Sequence, residues 1–198
     1  SEALKWYLKA ANQGDSEAMF YLGVMYADGD GVEQNYSEAL KWWRKAADLE
    51  NPEALFNLGL AYINGDGVAQ DSSQAVKYFL KSAELGDSDA QYNLGIMYYE
   101  GDGVKQDKKE AVKWLLESAE QGNIDAQNNL AVIYDIGDGV RQDHSEALKW
   151  RIKAANQGDV DSMVDLAASY ENGDGVEQNY SEALKWYLKA ANQGDSEA

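Results

Sequence analysis

Apolar and small residues recur along the chain at spacings of three and four, and the whole pattern repeats every 36 residues. Sliding the sequence by that interval brings Gly29-Asp30-Gly31-Val32 onto Gly65 to Val68, Gly101 to Val104, Gly137 to Val140 and Gly173 to Val176. The string Ser1 to Ala18 reappears unchanged as Ser181 to Ala198. A period of about 20 to 50 residues marks a solenoid, propeller or array whose units bury a shared core by stacking. Most single-domain enzyme folds are thereby excluded, and function is to be sought on a surface.

Within one repeat the pattern predicts two helices. The first, helix A, runs from Ser16 to Asp28 behind Asp15 as N-cap, with Ala18, Leu22, Gly23 and Tyr26 on one face. Ala18 and Gly23 allow close approach of another helix, and Leu22 and Tyr26 fill the space beside them. The Gly-Asp-Gly-Val loop ends helix A, its glycines suited to positive φ and its valine to tucking back into the core. Helix B then opens on a capping box: Asn35 with Glu38, and in later repeats Asp71 with Gln74, Asp107 with Glu110, Asp143 with Glu146, and Asn179 with Glu182. Its apolar residues, Ala39, Leu40, Trp42, Trp43, Ala46 and Ala47, cover most of the circumference, as expected of a helix between two neighbours. The column Trp6, Trp42, Trp114, Trp150 and Trp186 is expected in the core, with Tyr78 standing in for the tryptophan of one repeat.

Ala18, Leu22, Gly23 and Tyr26, then Gly29, Gly31 and Val32, then Ala39, Trp42, Lys45, Ala46 and Ala47 recur in nearly every repeat. This combination resembles the Sel-one-like repeat, a class of tetratricopeptide-like helical hairpins, and the resemblance spans the chain. The 36-residue length and the Gly-x-Gly-Val loop separate it from ordinary 34-residue tetratricopeptide repeats. It implies an all-α fold, a right-handed α-α superhelix of helix-turn-helix repeats forming a single array over residues 1–198, opened by a helix B half-unit at 1–13. Departures are local: Glu50-Asn51-Pro52 replaces the glycine-containing turn, with Pro52 at the first helical position. Ala131 and Ala167 replace Gly23, and Ser162 replaces Ala18.

Composition narrows the chemistry. With 44% hydrophobic residues and one proline the chain can build a sizeable core. It holds no cysteine, which removes disulfides, thiolate nucleophiles and cysteine metal sites while leaving the compartment open. No run of apolar residues is long enough for a bilayer, so direct membrane insertion is not expected. The chain opens on a repeat without an initiator methionine, which reads as a trimmed, processed or engineered piece. The net charge of −18 argues against nucleic acid, which needs clustered Lys and Arg, and favours a basic protein or peptide partner. Many of the acids nonetheless have a structural explanation: Asp15, Asp87 and Asp159 fall at N-caps, and Glu17, Glu53, Asp89, Asp125 and Asp161 in first turns, where they oppose the helix dipole.

Catalytic and metal motifs are not matched. The Asp28-Gly29-Asp30-Gly31 run lacks the further alternate oxygen ligands and the distal Glu of a calcium loop, and the glycine loops lack the Lys and Ser or Thr of a phosphate loop. His144, the single histidine, reads as an exposed, idle imidazole beside a cap. The expectation is a non-enzyme without cofactor or metal.

What varies from repeat to repeat is the exposed side of helix A, where a fixed scaffold stores specificity. By resemblance to tetratricopeptide arrays this side lines the concave surface. Phe20, Val24, Phe56, Leu60, Tyr92, Ile96 and Tyr99 make an apolar and aromatic strip that becomes polar at Asn128 and Asp135. Asn57, Asn93 and Asn129 stand in one column, a ladder of amides able to bond a peptide backbone as equivalent asparagines do in related arrays. The function expected is a non-catalytic adaptor holding a protein or peptide along this face. The alternative is a structural or engineered repeat scaffold without an evolved ligand, associating head to tail through its duplicated, apolar ends.

Overall fold

The computed structural model describes residues 2–194, and the start of a further helix A expected at Ser196 to Ala198 lies outside the described residues. Among the described residues there are eleven α-helices and no strands. Five are A helices: α2 (Ser16–Asp28), α4 (Pro52–Asn64), α6 (Ser88–Glu100), α8 (Ile124–Ile136) and α10 (Val160–Asn172). Six are B helices: α1 (Glu2–Ala11), α3 (Tyr36–Ala47), α5 (Ser72–Glu84), α7 (Lys108–Glu120), α9 (His144–Asn156) and α11 (Tyr180–Gly194). The chain divides into two compact halves, Ser1–Gln106 and Asp107–Ala198.

The A helices start as expected at Asp15, Asp87 and Asp159, and Asn51 and Asn123 cap the other two. Asp15, Asn51 and Asp87 accept from the N–H groups of Ala18, Ala54 and Ala90 at 3.0, 2.8 and 2.7 Å, and Asn123 and Asp159 do the same for Ala126 and Ser162. Each N-cap oxygen satisfies one of the four N–H groups a helix start leaves without a partner.

The B-helix starts keep only half of the expected capping box. Asn35 Oδ1 accepts from Glu38 N–H at 3.1 Å, with the same bond at Asp71, Asp107, Asp143 and Asn179. The reciprocal half is replaced. The backbone N–H of Asn35 donates to Tyr26 O at 2.7 Å, and those of Asp71, Asp143 and Asn179 to Tyr62, Tyr134 and Tyr170. The carboxylates of Glu38, Glu110, Glu146 and Glu182 instead take the lysine three residues on. A brace that sequence patterning missed accompanies each start: the side-chain amides of Gln34, Gln70, Gln106, Gln142 and Gln178 donate to the A-helix carbonyls of Ala27, Ile63, Tyr99, Asp135 and Glu171 at 2.6–2.8 Å. These carbonyls belong to the last turn, which has no acceptor use within the helix.

The core lies one residue away from the expected tryptophan column. Trp6 is 61% exposed, Trp42, Trp114 and Trp186 are half-buried, and of that column only Trp150 is buried. A lysine ammonium lies over each ring, 4.0 Å from the centroid for Lys45 on Trp42 and Lys153 on Trp150. The buried column is Trp43, Phe79 and Leu115. Its fit explains the small residues of helix A, because a Cβ on Gly59 would lie 2.5 Å from Phe79 Cε1 and one on Gly23 would overlap the Trp43 ring. Leu22 and Leu58 in the first half, and Leu130, Met163 and Leu166 in the second, complete the interior.

Candidate functional site: a cleft that recurs within the repeat

In the first half, the last turns of α2, helix α3 and the middle of α4 enclose a cleft of about 300 Å³. Val24, Ala27 and Asp28 come from α2, Tyr36 and Trp43 from α3, Asn57, Leu60, Ala61 and Asn64 from α4, and Asp66 from the loop that follows. The second half has a cleft of about 290 Å³ built from α8, α9 and α10, lined by Asp135, His144, Arg151, Asp165, Ala168, Ser169 and Asp174. All seven of these residues stand three repeats beyond a lining residue of the first cleft. Asp135 corresponds to Ala27, His144 to Tyr36, Arg151 to Trp43, Asp165 to Asn57, Ala168 to Leu60, Ser169 to Ala61 and Asp174 to Asp66. The fold thus makes the same recess twice and gives it two chemistries.

The apolar version follows from the pairing of Ala27 with Trp43 positions. In the second half the equivalent pair is ionic: Arg151 Nη2 donates to Asp135 Oδ2, and His144 Nδ1 lies 2.9 Å from Asp135 Oδ1. One repeat further on, Tyr187 donates to Glu171 at 3.0 Å from the same two positions. His144 is therefore not the idle imidazole expected from the sequence: it is the first residue of α9 and is held by Asp135. Arg151 escaped sequence reasoning altogether. Two departures signal it, a cation in the column of Trp43, Phe79, Leu115 and Tyr187, and sixteen residues earlier an acid in the column of Ala27, Ile63 and Tyr99.

The other expected site residues divide in three ways. Val24, Asn57 and Leu60 line the first cleft, and Asp135 the second. Phe20, Phe56, Tyr92, Ile96 and Tyr99 are half-buried on the A helices, with Phe56 tilted against the core Phe79 at 5.6 Å and Phe20 against Tyr21 at 5.1 Å. The asparagines are partly engaged: Asn93 and Asn129 donate to the carbonyls of Asp89 and Asp125 in their own helices at 2.8 and 2.9 Å. Asn128 joins two A helices, donating to Asp159 Oδ2 at 3.2 Å and accepting from Ser162 at 2.5 Å. Burial alone would raise the Asp159 carboxyl, but the bonds from Ser162 and Asn128 outweigh it and hold the group below the ordinary value. Asp87, at the equivalent N-cap, is displaced upward, by burial first and by Asp89 and Glu53 in addition.

Tightly paired helical hairpins of 36 residues, stacked within each half, define a tetratricopeptide-like repeat protein. The chain belongs to the Sel1 repeat family, whose Sel1 repeat profile matches residues 1–15, 16–51, 52–87, 88–123, 124–159 and 160–195. Its structure is similar to that of a protective antigen of uropathogenic Escherichia coli strains displaying an SLR fold, with 38% identity and a TM-score of 0.92 over 97% of this chain. This chain spans 41% of the length of that antigen. It is also similar to a Sel1 repeat protein from Oxalobacter formigenes, with 33% identity and a TM-score of 0.88, covering 98% of this chain and 82% of that one. Helicobacter pylori cysteine rich protein B matches at 28% identity and a TM-score of 0.52 over 63% of this chain and 90% of its own. A search of curated proteins finds no match. Sel1 repeat proteins are generally non-catalytic protein-interaction scaffolds, and no helix among the described residues is long and apolar enough to cross a membrane.

Proposed function

We propose that residues 1–198 act as a non-catalytic adaptor that holds a protein or peptide segment, basic in character, along the face formed by the A helices. The observation that carries this reading is the recurring cleft, because a fixed backbone recess lined differently in each half is the form in which a repeat scaffold encodes specificity. Catalysis finds no support in the second cleft, where both Asp135 oxygens are engaged by Arg151 and His144 and the Ser169 hydroxyl donates to Asp165 O at 2.9 Å. The test is selection of binders from a displayed random-peptide library, followed by substitutions in the scaffold. Leu60→Asp and Tyr92→Ala are expected to weaken the selected peptides at least tenfold, and Lys41→Ala and Lys77→Ala to leave them unchanged. Equal losses from both sets would overturn the assignment.

A second reading, head-to-tail self-association of a scaffold without an evolved ligand, is favoured by a different observation. The sequence of α1, Glu2 to Ala11, recurs within α11 from Glu182 to Ala191. Leu4 and Leu8 of α1 are half-buried against the first core, whereas Leu184 and Leu188 of α11 are 58% and 55% exposed.

A further inference from the structure

The two clefts differ in what they leave for a guest. In the second, the Arg151 guanidinium takes the place of the Trp43 ring and is neutralised by Asp135, while Ala168 and Ser169 replace Leu60 and Ala61. Arg151, His144 and Asp135 answer one another there, Asp165 and Asp174 remain outside the ion pairs of the described residues, and the apolar floor is reduced. In the first, half-buried Val24 and Leu60, backed by the buried Ala27, Ala61 and Trp43, line a recess at the small end of ligand-sized pockets, which run from about 300 to 1,000 Å³. That size suits a single side chain rather than a cofactor. Two carboxylates, Asp28 and Asp66, also line it. Asp66 accepts from the Asn64 amide at 3.2 Å, and among the described residues neither acid is in an ion pair. Half-buried Asn57 adds an amide that can both donate to and accept from an extended backbone.

We propose that the first cleft is the anchor subsite for one leucine-sized apolar side chain of a partner segment that carries lysine or arginine on both flanks. The proposal rests on the reading of the A-helix face as a binding surface and narrows it to one recess and one chemistry. The apolar floor supplies the anchor contact, since desolvated apolar pockets hold most of the energy of such an interface. The unpaired acids, in a chain of net charge −18, select basic flanks and speed the encounter.

The test uses the whole chain, labelled with 15N, and three acetylated and amidated pentapeptides: Lys-Lys-Leu-Lys-Lys, its alanine variant Lys-Lys-Ala-Lys-Lys, and Glu-Glu-Leu-Glu-Glu. The leucine peptide is expected to shift the amide resonances of Val24, Asn57 and Leu60 and the Trp43 indole N–H. The alanine peptide is expected to bind about tenfold more weakly, the scale of losing partly buried methyl groups. The acidic peptide should not bind. Leu60→Asp should abolish the leucine-specific shifts, and Asp66→Asn, a rim change that leaves the floor intact, should weaken binding and its salt dependence. Equal binding of the leucine and alanine peptides, or no shifts at millimolar peptide, overturns the proposal. Shifts at Phe56, Tyr92 and Ile96 with none at Leu60 overturn the subsite and leave the A-helix face standing as a binding surface. Shifts confined to neither region overturn both.

Discussion

Asp87 and Asp159 occupy the same place in the repeat, each accepting the N–H three residues on, yet their carboxyls are displaced in opposite directions. Asp159 lies below the ordinary carboxylate value, so its contribution to stability is present above that value and is lost as pH falls through the folded one. Asp87 lies above it, so its contribution is full below the ordinary value and is lost as pH rises through the folded one. Asn51 and Asn123 already serve as N-caps at equivalent positions. Asp87→Asn is therefore expected to leave stability at pH 7 unchanged or higher, and Asp159→Asn to lower it, each by on the order of 1 kcal/mol or less, the scale of a cap. The gap should close toward pH 3 in urea titrations, and equal losses at pH 7 would contradict the two environments. A third residue is strained by conformation rather than charge. Glu50 has φ 58° where Gly14, Gly86, Gly122 and Gly158 have φ 91–101°. The left-handed region costs a non-glycine residue about 1–2 kcal/mol, partly offset by the extra freedom glycine gives the unfolded chain. Glu50→Gly is expected to stabilise the protein by roughly 0.5–1 kcal/mol in the same titration.

At the scale of the helix, packing is decided by which of two adjacent positions faces inward. Phe79 is fully buried over Gly59, so Phe79→Ala is expected to cost about 3–5 kcal/mol, whereas Trp6→Ala, at a ring 61% exposed, should cost under about 1 kcal/mol. Gly59→Ala places a methyl 2.5 Å from the Phe79 ring and should cost about 1–3 kcal/mol. Pairing it with Phe79→Leu should recover part of that loss in a double-mutant cycle, and strictly additive losses would show that the two do not share the space. The period, helix types and N-caps were legible because each rests on local chemistry: a spacing, an Asp or Asn before a helix, a glycine after it. The choice between Trp42 and Trp43 was not, because both are tryptophan on a helix apolar around most of its circumference. Only the glycine of the facing A helix settles which one lies inside. The glutamine braces were missed for a related reason: Gln34 and its counterparts lie in loops, and their bonds join positions seven residues apart with no helical or strand periodicity to reveal them.

At the scale of the whole chain, sequence patterning singles out the variable side of the A helices but not the recesses between helices. Val24, Asn57 and Leu60 stand out by their repeat position, while Trp43, Arg151 and Asp165 become lining residues only once three helices converge. The duplication of Ser1 to Ala18 at Ser181 to Ala198 was legible at once, and its physical consequence can be stated for this 198-residue chain. In α1, Leu4 and Leu8 pack against the core that Ala18, Met19 and Leu22 of α2 help to form. The same helix sequence in α11 leaves Leu184 and Leu188 more than half exposed. A second copy whose α2 covers α11 in place of its own α1 would make contacts between identical sequences, so the exchange trades the burial of Leu4 and Leu8 for that of Leu184 and Leu188 with no new interface chemistry. Such a contact joins unlike ends and is heterologous, and it propagates instead of closing as a dimer. The expected outcome is a mass that rises with concentration in sedimentation velocity, and that rises further with salt as repulsion between chains of net charge −18 is screened. Leu184→Lys with Leu188→Lys is expected to return the chain to monomer without loss of helix content, since neither side chain is buried. An invariant monomer mass up to millimolar concentration in the unmodified chain would refute the exchange.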